Sequence, residues 1–176
     1  MTTAVASASA TSRPRFFSFP DPVNENAVRV TAAGVAVLAL FAVVTQRPEL
    51  LVAIAYGFCA RVLAGPRLSP LALLATKVIA PRLRATPRLV SGPPKRFAQG
   101  LGALASVTAA VLYYGPGWHV AAFALAGVMV VLATLESGLR ICVGCLLHAW
   151  LVNRGVIRSV ACADCADISL RVGAIR

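Results

Sequence analysis

The stretch from Val30 to Gln46, VTAAGVAVLALFAVVTQ, contains no charged residue and is closed by Arg47-Pro48-Glu49. As a helix it reaches about 25 Å, near the lower limit for crossing the hydrocarbon core of a bilayer. Before it, Asn24-Glu25-Asn26 offers capping side chains and a negative charge for the positive end of a helix. Arg29 is placed to snorkel toward the interface. These features predict a first membrane span over residues 27–46. Composition extends the argument to the whole chain. Only 13% of the residues are charged, against about a quarter in soluble domains, and the mean hydropathy is +0.79.

The second apolar run begins at Leu50 and meets Arg61 early. Gly65-Pro66, Ser69-Pro70 and a further apolar piece interrupted by Lys77 follow it. This pattern predicts a short span and then an irregular or re-entrant segment. Non-helical backbone at that depth must be buried in protein or line water. Residues 81–96, with Arg82, Arg84, Arg88, Lys95 and Arg96 and several prolines, read as a basic loop. A third span, Phe97 to Tyr114, carries Gly100, Gly102 and many alanines, which let helices approach closely. Gly115-Pro116-Gly117 is a turn, and the fourth span runs from Trp118 through Leu135. The expected fold is all-α, with four transmembrane helices and one irregular segment after the second. Residues 1–22 read as a flexible tail without a secretory signal, 23–152 as the membrane domain and 153–176 as a Cys-containing tail.

With four spans, the N-terminal tail, the loop after the second span and the C-terminus share one side. Of the 17 Lys and Arg residues, all but Arg47 fall there once Arg29 and Arg61 are assigned to their nearer span ends. The positive-inside bias therefore predicts that both termini are cytoplasmic. The net charge of +11 matches basic loops against anionic lipid. Nucleic acid is not expected as a partner, because the few aromatics do not interleave with the basic residues.

After Leu135 the composition changes. Glu136 and Arg140 precede Cys142-Val-Gly-Cys145, His148 and Trp150, and a second pair follows at Cys162 and Cys165. If helix continues, Glu136 and Arg140 lie one turn apart; a break near Gly138 or a protruding end is expected, since an unbroken helix would outrun the bilayer. Glu136 at a membrane edge needs a partner, and Arg140 and Arg61 are the candidates. A C-x-x-C pair near a helix start can hold a low-pKa thiolate for disulfide exchange or sulfur transfer. In that reading either Cys142 or Cys145 attacks as thiolate and the other resolves the mixed disulfide, Arg140 lowers a thiol pKa and Glu136 moves a proton. The spacing Cys142-x2-Cys145-x16-Cys162-x2-Cys165 also suits a four-thiolate Zn or Fe-S site. The third reading of the cysteines is packing alone. Apart from the cysteines, a small transporter is also expected as an alternative, in which Glu136, Arg61 and the irregular residues 50–80 line a path for sulfur-containing anions. Cys59 reads as core packing, and His148 as an interfacial histidine one turn beyond Cys145.

Several of these motifs carry a family resemblance. They are Val23-Asn-Glu25-Asn-Ala-Val-Arg29, Gly57-Phe-Cys-Ala-Arg61, Gly65-Pro-Arg-Leu-Ser69-Pro70, Pro94-Lys95-Arg96-Phe97-Ala98-Gln99, Leu135-Glu136-Ser137 and Cys142-Val-Gly144-Cys145. On them the chain resembles a bacterial family of small integral-membrane proteins, domain of unknown function 4395, from about Val23 to Leu151. The resemblance implies the bacterial inner membrane, with thioredoxin-like or sulfurtransferase proteins as partners beside the lipid bilayer. The tail pair Cys162 and Cys165 lies beyond the stretch that carries it.

Overall fold

The computed structural model describes residues 23–82, 89–90 and 92–157. The N-terminal tail, most of the basic loop and the tail that holds Cys162 and Cys165 lie outside the described residues. Four helical stretches are long and apolar enough to cross a membrane: Glu25–Thr45, Pro48–Arg82, Gly92–Tyr114 and His119–Leu139. The chain is therefore an all-α, multi-pass membrane protein.

Helix α1 (Glu25–Thr45) begins where the Asn24 side chain accepts from Asn26 N at 3.0 Å. It ends at Gln46 in the left-handed region. Pro48 occupies the first turn of α2 (Pro48–Ala64), where a missing N–H costs nothing. At Gly65, φ is 62° and the helix gives way to a 3-10 turn over Gly65–Arg67. Ser69 then caps a short helix, α3 (Pro70–Leu74), which continues as a π-helical turn (Ala75–Ile79) and α4 (Ala80–Arg82).

This is the irregular segment expected after the second span, and contacts trace its path. The Ser69 hydroxyl lies beside Gly57 in the middle of α2, and Leu71 packs directly on Gly34 in the middle of α1. Farther on, Ala72 and Thr76 face Thr31 and Ala27, nearer the start of α1. The segment thus dips into the bundle at Ser69 and returns along α1 toward the side it came from.

Helix α5 (Gly92–Tyr114) starts five residues before the expected Phe97, so Lys95 and Arg96 belong to its first turns and not to the basic loop. Prolines 93 and 94 are tolerated there because first-turn N–H groups have no helical partner. Helix α6 (His119–Thr134) ends in a π turn, Leu135–Leu139, and the chain breaks there, as the Gly138 region predicts. A last helix, α7 (Val143–Asn153), carries the first cysteine pair. Two residues before α1, β1 (Val23–Asn24), pair antiparallel with β2 (Leu89–Val90), register Val23 to Val90.

Packing follows the membrane pattern. Small residues fill the interior: Ala39, Ala42, Ala64 and Ala122 are fully buried, joined by Leu51, Ile54, Phe123 and Met129. Large aliphatic residues such as Val44, Leu104 and Val120 point outward, which suits lipid. Helix α5 is central, packing against α2, α6 and α7, while α1 packs against α6.

Candidate functional site

The site forms where the end of α6, the start of α5 and the start of α7 meet. The π turn leaves carbonyls at its end, and two groups satisfy them. Arg140 N and Ile141 N both donate to Leu135 O. The Arg29 guanidinium donates to Ser137 O at 2.7 Å and 3.0 Å and to Gly138 O at 3.4 Å. A cation at a helix C-terminus is favourable, so Arg29 staples α1 to the end of α6 instead of snorkelling outward. Such π turns are frequent at functional sites.

Arg140 takes the left-handed conformation at φ 60°, so the unbroken helix on which the Glu136–Arg140 pairing was expected stops there. Glu136 is bonded to Lys95 at 2.8 Å, with side chains 18% and 12% exposed. Both charges sit unfavourably with respect to their own helices, the anion near the C-terminus of α6 and the cation near the N-terminus of α5. Each offsets the other. Arg61, the other partner expected for Glu136, donates from Nε to Gln99 Oε1 at 2.8 Å and lies over the Phe58 ring at 4.3 Å.

Cys142 is the N-cap of α7 and is 8% exposed; Cys145 is half-buried in the first turn. Both are free thiols. The Cys145 thiol donates to Cys142, and this holds Cys142 below the usual thiol range against its own burial and the Glu136 charge. The Lys95 charge helps. Cys145 is pushed up, first because its proton is held by Cys142 and second by burial. Backbone N–H groups at a helix start favour an anion at the N-cap, so the thiolate belongs on Cys142. The cation that acts on this thiol is Lys95.

Between the cysteines, Gly144 allows close contact between helices. A Cβ there would stand 2.6 Å from Ala98 Cβ and 2.8 Å from Ala98 Cα. His148 is buried, with its ring edge-on to Phe97 at 5.3 Å. That contact makes it a packing residue of the α5–α7 interface. Cys59 is half-buried on α2.

The fold gathers Cys142, Cys145 and Glu136, all expected from the sequence, at one place and adds Lys95, which the sequence pattern assigns to the basic loop. The signal was present: Lys95 follows two prolines that can open a helix as readily as extend a loop. Among the described residues no three His, Cys, Asp or Glu side chains come together as a metal site. Cys162 and Cys165, the other half of the expected four-thiolate set, lie outside those residues.

A family model described as domain of unknown function (DUF4395) matches residues 23–153. The chain belongs to the DUF4395 family. The match takes in the membrane helices and α7 with its cysteine pair, and leaves Cys162 and Cys165 outside the DUF4395 region. No curated protein and no solved structure matches the chain.

Proposed function

We propose that this protein is a dithiol of the bacterial inner membrane, with both termini cytoplasmic, that acts in thiol-disulfide exchange or sulfur relay through Cys142 and Cys145. The observation that carries the reading is the asymmetry of the pair: one thiol at a helix N-cap with its thiolate favoured, the other one turn in with its proton retained. Nucleophile and resolving thiol require that division.

In the exchange, the Cys142 thiolate attacks one sulfur of a partner disulfide. A mixed disulfide forms, and the partner's other sulfur leaves as a thiolate and takes up a proton. Cys145 then loses its proton, with Glu136 as the carboxylate that passes it on, and attacks Cys142 Sγ. The mixed disulfide breaks, the second partner thiolate leaves, and two electrons have passed from the cysteine pair to the partner. In a relay, Cys142 would instead accept a sulfane sulfur as a persulfide and hand it to a thiol acceptor. The burial of Cys142 favours an extended peptide or a small sulfur donor over a flat protein face. Exposed Val143, Leu146, Leu147 and Trp150 on α7 suit a helix lying at the membrane interface. Thioredoxin-like and sulfurtransferase proteins are the partners this chemistry fits.

Thiol-trapping mass spectrometry on membranes from oxidised and reduced cells tests the reading. Cys142 and Cys145 are expected to change modification state together, and no change in either sinks it. The spacing of the two C-x-x-C pairs supports a second reading, a structural Zn or Fe-S site. About one metal per chain, lost in Cys162→Ser, would favour it.

A further inference from the structure

A cavity of about 240 Å³ lies between the start of α1, the end of α2 and the re-entrant segment. Val23, Ala27, Val28, Pro66 and Ala72 make its walls largely apolar. Among the described residues that line it, the only charged one is Arg61, which is 5% exposed. A guanidinium removed from water is costly unless an anion compensates it. Here its direct partner is the neutral Gln99 amide at 2.8 Å. Glu136, the carboxylate whose charge acts on Arg61, is in contact with Lys95. Glu25, at the head of α1, is not among the lining residues.

The polar lining narrows the chemistry further. Thr31 and Thr76 donate their hydroxyls to Ala27 O at 2.8 Å and Ala72 O at 2.7 Å, so they offer the cavity lone pairs only. Asn24 and Gln99 already accept through their oxygens, which leaves their NH2 groups as donors. One fixed cation and two side-chain amides are thus the polar donors among the residues that line a largely apolar chamber. Its volume exceeds what a lone ion needs, since a water molecule occupies about 30 Å³.

We propose that this cavity binds a monoanion with a short apolar body, the chemical class shared by alkyl sulfonates, short-chain carboxylates and phosphodiester headgroups. Arg61 holds the anionic head, and α1 with the re-entrant segment holds the body. The proposal goes beyond the dithiol chemistry and does not depend on it.

Calorimetric titration of the full-length protein in a neutral detergent tests it, with hexanesulfonate as the probe and hexanol and sulfate as its two halves. Hexanesulfonate is expected to saturate, and each half to bind at least about tenfold more weakly, because a hydrogen-bonded charge is worth that much. Arg61→Gln should weaken the probe by about tenfold or more. That variant alters a buried residue, so Val28→Phe is read in parallel; it fills the chamber with Arg61 in place, and should lose binding while eluting and melting as the wild type does. Displacement of the probe by short-chain phosphatidylglycerol would identify a lipid headgroup as the source of the anion. Undisturbed probe binding would identify a soluble anion, and both support the site. Absence of saturable binding by hexanesulfonate and phosphatidylglycerol alike overturns the proposal, as does equal binding of hexanol or undiminished binding in folded Val28→Phe. None of these measurements reads a thiol, so their failure leaves the dithiol proposal standing.

Discussion

Cys142 and Cys145 are the same residue type three positions apart, yet their environments push them in opposite directions. The pH dependence of alkylation exposes the difference. Cys142 is deprotonated below the usual thiol range, so its modification rate should reach half-maximum at a lower pH than that of an unperturbed cysteine, near 8.5. Cys145→Ala removes the donor, and the half-maximum should move upward; Cys145→Ser, which keeps a hydroxyl donor, should move it less. An unchanged profile in Cys145→Ala would contradict the assignment of the thiolate. Glu136 and Lys95 form a mostly buried pair, and breaking such a pair by removing one partner costs about 3 kcal/mol. Glu136→Gln should therefore lower the melting temperature in detergent. The double variant Glu136→Gln/Lys95→Met should recover part of the loss, because no uncompensated charge remains.

Helix α7 reaches the site only because α5 lets it approach. Gly144 lies against the backbone of Ala98, and Ala98 stands one turn from Lys95. Gly144→Ala is expected to destabilise the protein by about 1–3 kcal/mol, the usual cost of overpacking, and to raise the alkylation midpoint of Cys142 as Lys95 is left farther away. Gly127, on α6, offers the control: a Cβ there meets nothing within 4 Å, so Gly127→Ala should be neutral or slightly stabilising in the same melting assay. The end of α6 is held differently, by the Arg29 side chain on the carbonyls of Ser137 and Gly138. Helix ends, more than helix middles, organise this protein.

Taken together, the helices form a bundle whose interior is alanine-rich and whose surface is rich in Val and Leu. In lipid, tight backbone approach replaces the hydrophobic effect as the source of helix association, and that accounts for the inversion. Four spans and one re-entrant segment put the start of α1 and the end of α6 on one side, where Arg29 reaches Ser137 O. With the basic loops on that side, a membrane-impermeant maleimide applied to intact spheroplasts should leave cysteines introduced near Val23 and Val156 unlabelled, and should label them after lysis. A cysteine at Gly117, in the turn between α5 and α6, should be labelled from outside. The reverse pattern would invert the orientation.

Much of this architecture was legible in the residues. Charge-free runs long enough to cross a bilayer reveal the spans, since burying a charge in hydrocarbon is costly. Gly65-Pro66 and Gly138 mark the places where helix cannot continue smoothly, and the C-x-x-C spacing marks the thiols. Which charge meets which could not be read in the same way. Glu136 and Arg140 are neighbours along the chain, but Arg140 turns into the left-handed region and Glu136 meets Lys95 across 41 positions. Arg29 finds carbonyls 108 positions away. Hydropathy is a property of a segment and survives in any fold, whereas an ion pair depends on where two helix ends arrive. The packing of α5 against α6 and α7 therefore decided the partner of Glu136, and with it the cation beside Cys142.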